Sequence, residues 1–387
     1  MPSHTMGGIS TAYEAPFGAS LNFSNPAANT KVSTTLFSTN VTLDQMNFSG
    51  RRVLKYQNTF YFSNISLGFP LREKTILGFG YQPYTGYYNR MYGPNSAQYQ
   101  FDEERKIIKG SGGLNSFHAF LRYKIDNNWS VGLRGNYLFG SLTNQYLFYT
   151  SPDLSQVALQ EDRINGINLT AGIFSIMPSA TGRIFSAGAT YGFGKKMTVK
   201  RTMNRFNTLN GDTEQGSWTT ETVTENIPLR LPMSASLGFS YREDNKWMLS
   251  TQYDWKKTSE LEAIKHNTPG LDEAYRNSQK FSVGGYWIPQ YNSYKNYLDK
   301  IIYRFGLYYK NTELYINHQG ISDYGLTLGI GLPIRKRESE ESTSYLNIGL
   351  ALGQRGSTKK NLTRERYFSA KIDFSFGAKW FQKRIYD

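Results

Sequence analysis

The sequence has no cysteine and no long apolar run. Without cysteine in 387 residues, neither a disulfide framework nor a thiolate site can form. No segment approaches the roughly 18 consecutive apolar residues that a membrane helix needs. The mean hydropathy of −0.53 is also too polar for a helical membrane protein. These absences exclude helical membrane proteins and disulfide-rich secreted domains.

Patterns that would indicate catalysis or a cofactor are absent as well. The four histidines have no companions at metal-ligand spacing, and no nucleophile, base and acid stand in a recognisable arrangement. The Gly329–Gly331 stretch follows an expected strand, but no helix with a further glycine comes after it, so a nucleotide site is not indicated. The sequence therefore predicts a protein that is not an enzyme and has no metal or cofactor.

The net charge of +14 raises the question of nucleic-acid binding. The basic residues gather in expected loops and near the C-terminus, without a helix or RNA-binding motif to present them. Attraction to anionic lipid or lipopolysaccharide head groups explains them better. The first ten residues lack the apolar core of a secretory signal, so we expect a mature or truncated chain.

Aromatic residues, glycine and a period of two are what the sequence has in abundance. Aromatics make up 15% of the chain, with 29 Tyr, 24 Phe and 36 Gly. Within residues 117–125 the odd positions Phe117, Ala119, Leu121 and Tyr123 alternate with a largely polar even set. A soluble sandwich would give the same alternation, so this pattern alone does not decide the architecture.

The lengths of the connections favour a membrane barrel over a sandwich. Tight turns and long excursions alternate between the two ends of the expected strands, as in outer-membrane barrels with short periplasmic turns and long outer loops. The sequence therefore predicts an all-β, antiparallel transmembrane barrel in the bacterial outer membrane, with both termini in the periplasm. We expect about fourteen strands, at 32–43, 58–69, 75–83, 115–125, 129–139, 165–177, 182–193, 233–242, 246–256, 279–289, 300–310, 322–332, 344–354 and 367–377.

Small residues suggest that the lumen is filled. Glycine recurs on the expected inward face, where it weakens a strand unless something must come close or the sheet must bend. The candidate filler is an N-terminal hatch, residues 1–30, before a barrel of residues 31–387. A frayed tail is the alternative. The hatch candidates are Met6, Gly7, Gly8, Asn25, Pro26 and Ala27, and the charged residues expected to face the lumen are Arg122, Lys124, Arg134, Arg242, Lys310, Lys371 and Asp373.

The chain also resembles a known family at both ends. Residues 6–29, MGGISTAYEAPFGASLNFSNPAAN, are similar to the hatch of the FadL-like long-chain fatty-acid transporter barrels, with its Asn-Pro-Ala triplet. The last 110 residues resemble the Bacteroidota branch of that family. The matching pieces there are NSQKFSVGGYWIP (277–289), YRFGLYY (303–309), GIGLP (329–333), LNIGLALGQRG (346–356) and WFQKRIYD (380–387).

The resemblance implies a fourteen-stranded barrel with a hatch and leaves two functions open. The first is an accessory subunit that plugs or gates a type IX protein-secretion translocon, with a larger outer-membrane translocon protein as partner. The second is a passive transporter of hydrophobic small molecules. A sideways exit would favour transport, and adjacent Gly284 and Gly285 are the candidates for a strand kink that opens one. A bend needed only for barrel closure is the alternative.

Overall fold

The chain folds into one closed antiparallel barrel. The computed structural model describes residues 2–50, 54–86, 89–92, 105–149, 154–209, 218–259, 273–293, 295–316, 318–334, 344–359 and 362–378. Short 3₁₀ turns occur at Pro2–Met6, Pro16–Gly18, Pro26–Ala28 and Leu298–Lys300. No helix in these ranges has the length and apolarity to cross a membrane.

Fourteen strands make the barrel, and four of them are given in two parts. They are β1 (Thr35–Ser49), β2 (Leu54–Arg72), β3 (Thr75–Gly86 and Asn89–Tyr92), β4 (Arg105–Lys124), β5 (Trp129–Tyr149), β6 (Leu154–Pro178), β7 (Arg183–Gly192 and Lys195–Leu209), β8 (Trp218–Leu231 and Ser234–Glu243), β9 (Trp247–Lys256), β10 (Glu273–Tyr275 and Ser278–Trp287), β11 (Ile302–Ile316), β12 (Gln319–Pro333), β13 (Tyr345–Arg355) and β14 (Arg364–Ala378). The first and last strands pair from Thr35 with Ala378 to Ser49 with Arg364, which closes the sheet. The fourteen-stranded barrel predicted from the sequence is confirmed.

Burial follows the period of two that the sequence shows. On β4, Phe117, Leu121 and Tyr123 are exposed on the outer face, whereas His118 and Arg122 between them are buried. Adjacent strands repeat this, so large apolar side chains form a continuous outer surface. An apolar exterior around a polar interior is the arrangement that lipid requires of a barrel.

The predicted loops at 140–164 and 194–232 are wrong in large part. Strands β5 and β6 remain paired as far as Tyr149 with Ser155, and β7 and β8 as far as Asn207 with Trp218. These extensions carry polar residues on both faces, so they lack the alternation that marks strands in lipid. Cross-strand hydrogen bonds hold them together as hairpins beyond the apolar belt.

We name the two ends of the barrel by their connections. The short-turn end holds the tight connections at 73–74, 125–128, 179–182 and 244–246, together with the start of β1 and the end of β14. The opposite end is the extended-hairpin end. Segment 380–387, part of the family resemblance, lies outside the described residues.

Candidate functional site: the barrel lumen

The N-terminal segment, defined here as residues 2–34, lies inside the barrel. Met6, Ile9, Ala12, Asn25 and Ala27 have no exposed surface. The segment has few large side chains and therefore comes very close to the strands. Its interior position leaves backbone polar groups away from bulk water, and these need partners from the wall.

The two glycines predicted for the hatch allow the chain to turn at its start. Gly7 and Gly8 have φ angles of 69° and 88°, a region that side chains rarely adopt. The turn directs the Gly7 carbonyl at the wall, where Lys280 Nζ donates to it at 2.7 Å and Ser282 Oγ at 3.0 Å. The Gly7 amide donates to Thr327 Oγ1 at 2.8 Å. Gly7 is thus hydrogen-bonded to β10 and β12, two strands that come late in the chain.

The Asn-Pro-Ala triplet forms a capped turn against β5 and β6. The Asn25 side chain accepts a hydrogen bond from the Ala27 amide at 3.2 Å, and Pro26 begins the 3₁₀ turn, where its missing N–H costs nothing. Asn25 Nδ2 also donates to the carbonyls of Thr11, at 2.7 Å, and Ile173, at 3.2 Å. The Asn25 side chain therefore caps the turn and also bonds to the rest of the N-terminal segment and to the barrel wall.

Inward glycines of the wall make room for this backbone. A Cβ on Gly132 would lie 2.7 Å from the Ala27 amide nitrogen, and one on Gly238 3.0 Å from that of Ala12. Gly306 and Gly188 come still closer, to Gly7 and Thr11. Other glycines on the inner face, such as Gly78, instead make room for neighbouring wall side chains. Inward glycines thus make room either for the N-terminal segment or for wall side chains. Only the first of these causes was predicted from the sequence.

A buried ion pair fixes the middle of the N-terminal segment. Arg242 Nη2 donates to Glu14 Oε2 at 2.5 Å, and both side chains are 1% exposed. Lys31 Nζ lies 3.6 Å from the same carboxylate and 2.8 Å from Asp244 Oδ1, to which Arg242 Nε also donates at 3.0 Å. Burial raises the pKa of the Glu14 carboxyl, whereas the charges of Arg242 and Lys31 lower it.

The charged residues predicted to face the lumen lie in different parts of it. Arg134 donates to the Phe23 carbonyl at 2.5 Å, and Asp373, which is buried, accepts from Asn347 at 2.9 Å. Lys310 pairs with Glu313 at 3.2 Å. Arg122, Lys124 and Arg242 border a cavity at the short-turn end, whereas Lys310 and Lys371 border a larger one further in. They form no single cluster.

Sequence reasoning missed Glu14 and Gln252. Gln252 Oε1 accepts from the amides of Ser10 and Thr11 at 2.7 and 2.8 Å. Glu14 did carry a signal, because it is the only acidic residue among the first thirty and stands in a run of small residues. Gln252 carried none, since a glutamine on a polar strand face is ordinary.

The larger cavity, called the inner cavity here, has a volume of about 760 Å³. It lies between the N-terminal segment and the extended hairpins. Charges of both signs line it, including Lys280, Lys310, Asp254 and Asp323. Lys280 Nζ also lies 5.0 Å from the centre of the Tyr308 ring. Such a lining suits polar or amphipathic molecules and water better than a hydrocarbon.

The wall beside the inner cavity contains a gap between β2 and β3. Among their described residues, these strands pair from Ile65 with Tyr81 to Arg72 with Thr75 and no further, whereas β2 remains paired with β1 as far as Leu54. Register shifts lie at the divergence, between Asn40 and Val41 on β1 and after Pro83 on β3. Bulges bend a strand, and proline lacks the amide hydrogen that a ladder needs. The two strands therefore separate towards the extended-hairpin end.

The predicted kink at Gly284 and Gly285 does not coincide with this gap. Both glycines have ladder partners on β9 and on β11, and neither ladder shifts register there. A Cβ on Gly284 would lie 2.6 Å from the Phe305 carbonyl oxygen across the ladder and 3.0 Å from that of Met6. Close approach of both β11 and the N-terminal segment accounts for glycine at this position, and both ladders continue through it.

We expect Gly188→Ala to weaken docking of the N-terminal segment. The new methyl group would overlap the Thr11 carbonyl oxygen, which is backbone and cannot rotate away. Overpacking of this kind costs about 1–3 kcal/mol. A Ser10→Cys reporter, unique in a chain without cysteine, should react faster with a maleimide in this variant. Gly135→Ala is the matched control, because its nearest atom is Leu169 Cδ2 at 3.7 Å. Equal labelling in the two variants would contradict close docking at Gly188.

Several solved outer-membrane channels share the fold of this chain. The CymD monoaromatic hydrocarbon channel has a TM-score of 0.63 at 14% identity, over 98% of both chains. The Ralstonia pickettii toluene transporter TbuX has a TM-score of 0.62 at 15% identity, over 97% of both chains. A Pseudomonas aeruginosa FadL homologue has a TM-score of 0.63 at 13% identity, over 97% of this chain and 96% of its own. At this identity the likeness shows a shared fold.

The comparison at the level of sequence families is more specific. No curated protein matches the chain. One family model matches all of it, from residue 1 to residue 387, and its description is BamG. An outer-membrane β-barrel with the fold of the FadL-type channels, the chain belongs to the BamG family.

Proposed function

We propose that the chain is a passive channel that takes small molecules into its lumen and releases them sideways, between β2 and β3. The observation that carries this proposal is the gap in the wall. An intact ladder presents no route through the wall, whereas diverging strands leave an opening between the lumen and the lipid. The shared fold with hydrocarbon channels and toluene transporters supports the same reading.

The inner cavity extends to the gap. Gln82 and Tyr84 of β3, beyond its last pair with β2, line the cavity, as do Asp44 and Met46 of β1. The β2 side of the gap is open as well, because seven of the eight residues in 55–62 are exposed, with Gln57 intermediate. Phe60 is 70% exposed. A molecule in the cavity would therefore meet apolar rings at the exit.

The lining indicates which molecules would pass. Lysines and aspartates surround the cavity, so a pure hydrocarbon would gain little there and would displace water from charged groups. We infer an amphipathic cargo, with a polar group held in the cavity and an apolar part that leaves along Tyr56 and Phe60. This cargo is more polar than the hydrophobic compound expected from the family resemblance.

Blocking the gap tests the channel. A bulky maleimide on Tyr84→Cys should lower uptake of a fluorescent fatty acid into cells that express the barrel. Tyr137→Cys is the control, because Tyr137 is exposed on an outer face whose ladders are continuous. Uptake that is the same with and without the barrel, or unaffected by either label, would contradict transport.

A second function is favoured by the way in which the N-terminal segment is held. Its hydrogen bonds to several strands and the buried Arg242–Glu14 pair close the short-turn half of the lumen, as an accessory subunit that never conducts would need. The partner would be a larger outer-membrane translocon protein. None of the matches described above is a type IX secretion protein, so that assignment rests on the sequence resemblance alone.

One purification separates the two functions. The native barrel is extracted from outer membranes in mild detergent, and whatever remains bound is identified by mass spectrometry. Recovery of a large membrane protein in equal amount would favour the accessory function. Recovery of the barrel alone, with amphipathic molecules, would favour the channel.

A further inference from the structure

A second cavity, called the turn cavity here, lies at the short-turn end. Its volume is about 210 Å³, and its lining includes the turn of residues 126–129, the N-terminal segment and inward residues of β4 and β8. A water molecule takes about 30 Å³, so several would fit, as would one small ion. The cavity is separate from the inner cavity and plays no part in the proposed transport route.

One side of the turn cavity carries positive charge without a matching partner. Arg122 is 2% exposed, and its Nε has no hydrogen-bond partner in the described part of the chain. Lys124 lies two residues further along β4, so its side chain points to the same face and lines the same cavity. A buried guanidinium nitrogen without a hydrogen bond is rare, because its loss of hydration is not offset.

Each carboxylate around the turn cavity already has at least one partner. Glu14 Oε2 and Asp244 are bound by Arg242 and Lys31. Asp126 accepts hydrogen bonds from the amides of Asn128 and Trp129, both at 2.7 Å. Arg122 has no hydrogen bond to any of these carboxylates among the described residues, although Glu14 is near enough to act on it electrostatically.

An unsatisfied acceptor lines the same cavity. Glu14 Oε1 is buried and has no hydrogen-bond partner among the described residues. A ligand that satisfies both sides must accept from Arg122 and donate to Glu14. Phosphate carrying at least one proton does both, through its charged oxygens and its hydroxyl. Acetate and a phosphodiester can only accept.

We propose that Arg122, Lys124 and Glu14 form a binding site for hydrogen phosphate, as the free ion or as a phosphate monoester, at the short-turn end of the barrel. Arg122 supplies the planar donor pair that matches two phosphate oxygens, and Lys124 adds charge at the cavity edge. Glu14 selects the protonated form by accepting its hydroxyl. Since Glu14 also binds Arg242, an occupied site would stabilise the docked N-terminal segment.

Titration calorimetry on the full-length barrel in a non-ionic detergent tests the site. Inorganic phosphate should bind, and acetate and dimethyl phosphate should bind roughly tenfold more weakly or not at all, since each lacks the hydroxyl. Dimethyl phosphate stands for a lipid phosphodiester, so equally tight binding of it would instead assign the site to a head group and overturn selection by Glu14. No heat with inorganic phosphate would overturn the site itself.

Variants locate the site. Arg122→Met should abolish binding, and Arg122→Lys should retain part of it. Arg183→Met should bind as the parent does, because Arg183 is exposed at the same end and donates to Tyr241, outside the cavity. Retention of the heat-modifiable gel mobility shows that each barrel is folded. If Arg122→Met does not fold, Lys124→Met should weaken binding several-fold, and unchanged affinity there would overturn the proposal.

Discussion

Replacing Arg242 with methionine is expected to lower the free energy of unfolding by about 3–5 kcal/mol and to release the N-terminal segment. Methionine keeps the length and apolar volume of the side chain but leaves Glu14 as a buried carboxylate without its closest cation. Chemical unfolding in lipid vesicles measures the first effect. Faster maleimide labelling of a Ser10→Cys reporter, buried in the parent, measures the second.

Two further variants show whether the buried charge is the cause. Arg163→Met removes an exposed arginine from a pair with Glu161, and we expect no measurable change in the free energy of unfolding. Adding Glu14→Gln to Arg242→Met should recover part of the loss, because the uncompensated charge is then gone. If Arg242→Met unfolds like the parent and leaves Ser10→Cys protected, the ion pair does not hold the segment.

Leu133→Arg is expected to destabilise the barrel by about 2–4 kcal/mol in lipid, if the position lies near the middle of the bilayer. Leu133 is exposed on β5, between the outward residues Val131 and Gly135, and pairs with Leu121 and Ala171. Its side chain therefore faces the acyl chains, where a guanidinium loses its hydration. Reversible unfolding in vesicles of defined thickness is the measurement.

The matched control places the same charge on the other face of the strand. Asn136→Arg puts arginine on β5 towards the inner cavity, where polar groups can solvate it, and we expect a much smaller loss. Arg134→Leu is a poor control, because Arg134 donates to the Phe23 carbonyl and its removal would also loosen the N-terminal segment. Equal effects of the two arginines would mean that the faces of β5 are assigned wrongly.

The barrel was predictable from the sequence because lipid imposes a simple rule on every strand that crosses it. The alternation of residues along the strands placed Phe117, Leu121 and Leu133 outside. It placed Arg122 and Arg134 inside. The rule does not apply to the parts of the strands that extend beyond the membrane. The hairpin around Tyr149 and Ser155 has polar residues on both faces, and only its hydrogen-bonded pairing reveals it as strand.

The candidate site could be predicted only in part. Gly7, Gly8 and Asn25 were named from the small-residue composition of the segment and its family resemblance, and in the structure they form a turn and a cap. Arg242 could be placed on the inner face, but not opposite Glu14, because 228 residues separate the two. The gap between β2 and β3 was not predicted for a similar reason. It depends on pairing between neighbouring strands, which no local pattern in the sequence displays.

The pairing of β1 with β14 has a consequence for the order of assembly. The N-terminal segment precedes the strand that makes the final seam, yet it bonds to strands throughout the barrel, from β5 to β14. It must therefore be inside when the seam forms or enter afterwards through an open end. A barrel that closed without it would have the same strand pairing and a different interior. Insertion of this segment is thus a step of folding that the final strand topology alone does not record.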